Sequence, residues 1–86
     1  MKTHSINTYK HEFYVICPVN EQVIKYNLAI KTNGLIMVES IIEACKLFKR
    51  GFHEDIADKL FDLFRGFQVI VANHHGVEIE TERGSL

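Results

Sequence analysis

Five residues of the chain have side chains suited to binding or catalysis. His53 and Glu54 begin a predicted helix, His74 and His75 lie in a predicted turn, and Cys17 ends a predicted strand just before Pro18. A carboxylate near a helix N-terminus is stabilised by the helix dipole and by unpaired backbone N–H groups. Glu54 can therefore stay ionised in a partly closed site and anchor a ligand, or it can be an ordinary first-turn acid.

The cysteine and the histidines allow more than one chemistry. Cys17 can be a nucleophile if a nearby histidine lowers its pKa, or it can be a small buried apolar residue. His74 and His75 can transfer protons near neutral pH, although a solvated turn explains them equally well. Cys17, His53, His74 and His75 are also chemically able to hold zinc, but their spacing does not require a metal and we expect none.

The first half of the chain predicts a lead-in and two strands. Residues 1–10 are polar and predict a flexible N-terminal lead-in, followed by a single domain over residues 11–86. Residues 13–17 are aromatic and β-branched, which predicts a strand covered on both faces and stopped by Pro18. Residues 23–31 alternate between apolar and polar side chains, which predicts a strand with one covered face.

The second half of the chain predicts two helices and two more strands. Apolar residues recur with helical spacing over residues 38–50 and 53–65, with Gly51 ending the first helix. Residues 68–72 and 77–82 predict strands joined by a turn. The resulting order, ββααββ, predicts an α+β fold with a four-stranded antiparallel sheet and both helices on one face. The exposed glutamates 78, 80 and 82 are expected on an edge strand.

Length and composition limit the possible functions. A domain of 86 residues buries only about 60–65% of its unfolded surface, so we expect a homo-oligomer to supply further burial. The net charge of −1 provides no basic excess for binding nucleic acid. The sequence contains neither a long apolar run nor a signal-like N-terminus, which predicts a cytoplasmic protein that does not contact membranes. The two cysteines form no CxxC motif and are expected to be reduced thiols.

The ββααββ order, with Phe52-His53-Glu54 at the start of the second helix, resembles the tunnelling-fold (T-fold) superfamily over residues 13–83. The resemblance implies that sheets from several subunits close into a barrel around a tunnel, with ligand sites between subunits. It also implies that a glutamate at the position of Glu54 holds the 2-amino-4-oxo face of a pterin or guanine-like ring. The chemistry agrees, because a carboxylate offers two acceptor oxygens to two parallel N–H donors.

Residues 52–60 and the closing strand, residues 76–83, resemble dihydroneopterin aldolase, and this is the branch that the sequence favours. The resemblance implies a lyase of folate and pterin metabolism that cleaves the dihydroneopterin side chain by a retro-aldol reaction, and we expect no cofactor. Asn73 stands near the position of the aldolase lysine, and the segment that carries its interfacial tyrosine is absent. His74 or His75 would then relay the proton.

The alternative branch is 7-deazapurine chemistry. Cys17-Pro18-Val19-Asn20, together with residues 52–55, resembles 7-cyano-7-deazaguanine reductase of queuosine synthesis. This resemblance implies that Cys17 attacks the nitrile to form a thioimide, that His53 binds substrate or handles a proton, and that Glu54 anchors the ring.

The chain departs from the reductase pattern at several positions. Ile24 stands where the reductase has a proton-donating aspartate, and Ile41 and either Glu43 or Ala44 stand where it has two cofactor lysines, so NADPH is not expected. A related archaeal group uses the same cysteine to transfer ammonia onto a tRNA-borne nitrile. The missing family residues also leave a third possibility, a heterocycle-binding scaffold without catalysis.

Overall fold

The computed structural model describes residues 5–86, and its elements follow the order that the sequence predicts. They are β1 (Asn7–Ile16), β2 (Val23–Thr32), α1 (Val38–Lys46), α2 (His53–Phe64), β3 (Phe67–His74) and β4 (Val77–Gly84). The strands lie side by side in the order β1-β2-β3-β4, and each neighbouring pair is antiparallel. The α+β class and the ββααββ order are therefore confirmed.

The hydrophobic core lies between one face of the sheet and the two helices. Alternate residues of a strand share a face, so the cross-strand neighbours Phe13, Tyr26 and Ala72 point to the same side, and all three are buried. Ile41 of α1 and Leu60 of α2 belong to the same cluster. Both helices therefore cover the same face, as the pattern predicts.

Two predictions about β1 are wrong. The strand begins at Asn7, so residues 7–10 of the predicted lead-in pair with β2, while residues 1–4 lie outside the described residues. The predicted coverage of both faces also fails, because Tyr14 is 58% exposed. The helices cover one face only, which leaves the alternate residues of β1 on the open side of the sheet.

The helix α1 ends at Lys46 rather than at Arg50, because the following residues pair with β1. The N–H of Ile16 donates to the carbonyl of Lys49 at 3.0 Å, and the N–H of Gly51 donates to the carbonyl of Ile16 at 3.2 Å. These bonds bring the connection between the helices against the end of β1. The helix α2 begins two residues after Gly51, at His53.

A side chain of β3 holds the other end of α2. The amide Nε2 of Gln68 donates to the carbonyl of Leu60 at 3.0 Å and to that of Arg65 at 2.9 Å, which satisfies carbonyls at the helix C-terminus. Gly66 follows with a φ of 71°, and a Cβ there would lie 2.7 Å from the carbonyl oxygen of Lys31. Glycine is therefore required at this position.

The strands β1 and β4 form the two edges of the sheet. Glu78, Glu80 and Glu82 are exposed on β4, which confirms the expected wet face of an edge strand. Oligomeric assembly through these edges stays a prediction. No helix within residues 5–86 is long and apolar enough to cross a membrane; the longer, α2, has 12 residues.

Candidate functional site

Cys17 lies beside the start of α2. It follows the last residue of β1, Ile16, whose backbone is bonded to Lys49 and Gly51 immediately before α2 begins at His53. The loop after β1 is closed by its own backbone bonds, because the N–H of Cys17 donates to the carbonyl of Gln22 at 2.8 Å. Cys17 is partly buried and packs against the core. Pairing between distant segments thus places the backbone next to Cys17 close to the start of the helix that carries His53 and Glu54.

Three aromatic rings form the centre of the candidate site. The ring of Tyr26 lies 5.4 Å from that of His53 and 5.9 Å from that of His74, and the two imidazoles are 5.5 Å apart, all measured between centroids. Tyr26 is 1% exposed and His53 is 6% exposed. His74, predicted in a turn, is instead the last residue of β3, and its position on the core-facing side brings it to His53.

Protein atoms form hydrogen bonds with only some of the nitrogens of these two imidazoles. Nε2 of His53 and Oγ1 of Thr81 are hydrogen-bonded at 2.9 Å. Within residues 5–86, buried Nδ1 of His53 and buried Nε2 of His74 have no hydrogen-bond partner. A buried polar atom without a partner costs about 1–3 kcal/mol. A ligand or water molecule that bonds to these atoms would remove that cost.

Burial controls the charge of this cluster. Burial, followed by the neighbouring His74 and then Arg83, lowers the pKa of His53, while Glu54 acts in the opposite direction. Burial, together with the nearby Cys17, raises the pKa of Tyr26 to about 12. At neutral pH His53 is therefore an uncharged imidazole that can accept a proton, and Tyr26 is a protonated phenol.

The lowered pKa of His53 predicts a pH-dependent stability. Because an unfolded histidine titrates near about 6.5, protonation below that pH favours the unfolded chain. The free energy of unfolding should therefore fall as pH decreases from about 6.5 towards the folded pKa, and His53→Gln should reduce this loss. Urea unfolding at several pH values measures it, with the exposed His75→Gln as control. Equal pH slopes for wild type and His53→Gln would refute the assignment.

Glu54 lies outside the aromatic cluster, on the solvent side of α2. Its Oε2 accepts a hydrogen bond of 2.7 Å from Nη2 of Arg83, and Nε of Arg83 donates to Oδ1 of Asp58 at 3.1 Å. These two hydrogen bonds raise the pKa of Arg83. The Glu54 side chain is 67% exposed, so a ligand can reach it. Arg83 contacts one carboxylate oxygen, Oε2, and fixes the direction of the group.

His75 is also outside the cluster. It is exposed, has a φ of 55°, and its Nε2 contacts Nδ2 of Asn20, which joins the β1–β2 loop to the β3–β4 turn. Within residues 5–86, no three His, Cys, Asp or Glu side chains are grouped to hold a metal ion. The structure therefore groups His53 and His74 with Tyr26, while Cys17 packs against the same core. It does not place Glu54 or His75 in that group within one chain.

Three polar residues of the site did not emerge from the sequence pattern. The alternation explains Tyr26 and Thr81 as residues of the covered face, and the predicted strand ends at Glu82, one residue before Arg83. Each lies on the helix-covered face of its strand. The available signal for a site was the polar character of side chains that strand alternation places on the covered face.

Comparisons with known proteins support the fold. No family model matches the chain, and no curated protein matches it. Among solved structures, the chain is similar to the archaeosine synthase QueF-Like in its apo form, with 17% sequence identity over 99% of both chains and a TM-score of 0.68. At this identity the likeness shows a shared fold alone. No comparison supports the aldolase branch.

Proposed function

We propose that this chain is a T-fold enzyme that acts on the nitrile of a 7-deazapurine, with Cys17 as the nucleophile. The observation that carries the proposal is the pairing of Ile16 with Lys49 and Gly51, which puts Cys17 beside the start of α2. The similarity to the archaeosine synthase QueF-Like over nearly the whole chain supports the same branch. This replaces the pterin lyase as the preferred function.

The position expected to hold the aldolase lysine has another use in this chain. Oδ1 of Asn73 accepts a hydrogen bond of 2.8 Å from the N–H of Gly76 and closes the β3–β4 turn. The exposed His75 contacts the neighbouring loop, and His74 faces His53 rather than the Glu54 carboxylate. These contacts give no support to a proton relay of the aldolase type.

The first step would be addition of the Cys17 thiol across the nitrile. The Sγ–C bond forms, one π bond of the nitrile breaks, and the proton of the thiol moves to the nitrile nitrogen. Neutral His53 would accept that proton and return it to the nitrogen, while Tyr26 and His74 hold the imidazole in place. The step needs no oxidant or reductant and yields a covalent thioimide.

Glu54 would hold the ring through the two parallel N–H donors of its 2-amino-4-oxo face. Arg83 keeps the carboxylate oriented, and the 67% exposure of the Glu54 side chain allows a ligand to approach. Because Glu54 lies outside the aromatic cluster of Tyr26, His53 and His74 within one chain, we propose that the site is completed between subunits. Glu54 of one copy would then face Cys17 of a neighbouring copy.

A second nucleophile, rather than a hydride, would release the product. Ile24 and Ile41, which stand at polar positions of the reductase, are 5% and 4% exposed and belong to the core, where they cannot contact a charged cofactor. Ammonia would add to the thioimide carbon and displace the Cys17 thiolate, leaving an amidine.

We propose the free heterocycle as substrate, because a net charge of −1 gives no basic excess for nucleic acid.

Calorimetric titration tests the anchor and the branch together. Wild type should bind 7-cyano-7-deazaguanine, and Glu54→Gln should weaken binding about 10- to 100-fold, because a charge-assisted bond contributes about 1.5–3 kcal/mol. Asp55→Asn, a change at the adjacent exposed acid, should bind like wild type. Binding of neopterin but not of 7-cyano-7-deazaguanine would favour the pterin lyase over the nitrile enzyme. If neither ligand binds, the proposed role of Glu54 as the ring anchor is wrong.

A further inference from the structure

The helix layer contains an apolar groove whose lining does not include Tyr26, His53 or His74. α1 packs against β1, and α2 packs against β3 and β4, which leaves a groove of about 470 Å³ between the helices. Its lining consists of Ala44, Leu47, Phe48, Lys59, Asp62 and Leu63. None of these residues takes part in the proposed reaction, so the reaction does not account for this groove.

Two leucines at this groove are solvent-exposed. Leu47 is 80% exposed at the end of α1, and Leu63 is 58% exposed on the last turn of α2. Ala44, buried, and Phe48, half-buried, are also apolar. A contiguous apolar surface with polar residues at its border is typical of a protein–protein contact.

The charges at the groove indicate which protein would bind. Lys59 and Asp62 lie three residues apart on α2, and within residues 5–86 neither takes part in an ion pair. A two-fold axis that crosses α2 between them would bring Lys59 of one copy next to Asp62 of the other, twice. Such a surface is complementary to itself.

We propose that a second copy of this chain docks on this groove in a two-fold symmetric contact. Leu47 and Leu63 of each copy pack against the groove of the other, and Lys59 and Asp62 form two reciprocal ion pairs at the border. The contact uses the helix layer and leaves the sheet edges available. It therefore does not depend on the proposed reaction, nor on the predicted barrel.

Charge reversal with mixing tests this contact. Lys59→Glu alone and Asp62→Lys alone should each weaken self-association about tenfold, because each places two like-charged pairs across the two-fold axis. An equimolar mixture of the two variants should associate as wild type does. In the mixed dimer, the Lys59→Glu copy has acidic side chains at both positions 59 and 62, and the Asp62→Lys copy has lysines at both. Position 59 of each copy therefore again meets an opposite charge at position 62 of the other. Sedimentation of the full chain at fixed salt measures all four samples.

Variants of the leucines provide the control. Leu47→Lys should dissociate the contact, whereas Val19→Lys, a change at a residue 78% exposed in the β1–β2 loop, should not. If the sheet edges also associate, the charge-reversal variants and Leu47→Lys should halve the mass of the oligomer rather than yield a monomer. Single reversals that leave self-association unchanged, or a mixture that fails to restore it, would overturn the proposal. If a different protein binds the groove, the single charge reversals should leave self-association unchanged.

Discussion

Replacement of Cys17 by alanine should abolish the covalent adduct with 7-cyano-7-deazaguanine, and Cys45→Ala should leave it intact. Cys17 is partly buried after the end of β1, which pairs with Gly51 just before α2, whereas Cys45 is 3% exposed within the core. Burial raises the pKa of Cys45 to about 11, so that thiol stays protonated at neutral pH. Loss of a nucleophile removes the reaction path, and the rate of adduct formation should fall ~10³-fold or more.

Intact-mass spectrometry after incubation with the nitrile measures this prediction. Wild type and Cys45→Ala should each gain the mass of one ligand, and Cys17→Ala should gain none. A circular dichroism spectrum like that of wild type would show that Cys17→Ala is folded. An adduct on Cys17→Ala, or its loss only in Cys45→Ala, would assign the nucleophile to another residue.

Leu60→Ala should reduce the free energy of unfolding by about 2–5 kcal/mol, the usual cost of emptying a core leucine site. Leu60 is fully buried on α2 and belongs to the cluster that joins the helices to the sheet. A native domain has about 5–15 kcal/mol of stability in total, so the loss is a large fraction of it.

Urea unfolding of wild type and Leu60→Ala measures the loss directly. Leu35→Ala is the matched control, since Leu35 is 82% exposed before α1 and its replacement should change stability by no more than about 0.5 kcal/mol. Similar unfolding midpoints for wild type and Leu60→Ala would mean that α2 does not pack on the sheet as described.

The hydrophobic pattern was sufficient for most of the fold. Strict alternation predicted β2, because one face of that strand is buried and the other is wet. The start of β1 was missed because residues 7–10 are polar, and polar residues can pair in a strand where no layer covers them. The end of α1 was missed because the pairing of Arg50 with Ile16, a contact between distant residues, competes with the helix.

The candidate site was less predictable than the fold. The residue types of Cys17, His53 and His74 suggested chemistry, but their grouping depends on contacts between β1, α2 and β3 that no local pattern encodes. Glu54 was predicted as an anchor from its place at the helix start, whereas its ion pair with Arg83 of β4 spans 29 positions of sequence. Long-range partners of this kind are visible only once the strand register is known.

The most direct test of the proposed function is a crystal structure of the wild-type protein with 7-cyano-7-deazaguanine. We expect continuous density from Sγ of Cys17 to the former nitrile carbon. We also expect ring nitrogens about 2.7–3.2 Å from the Glu54 carboxylate of a neighbouring copy. An unmodified Cys17 thiol at saturating ligand, or a ring bound away from every Glu54, would contradict it.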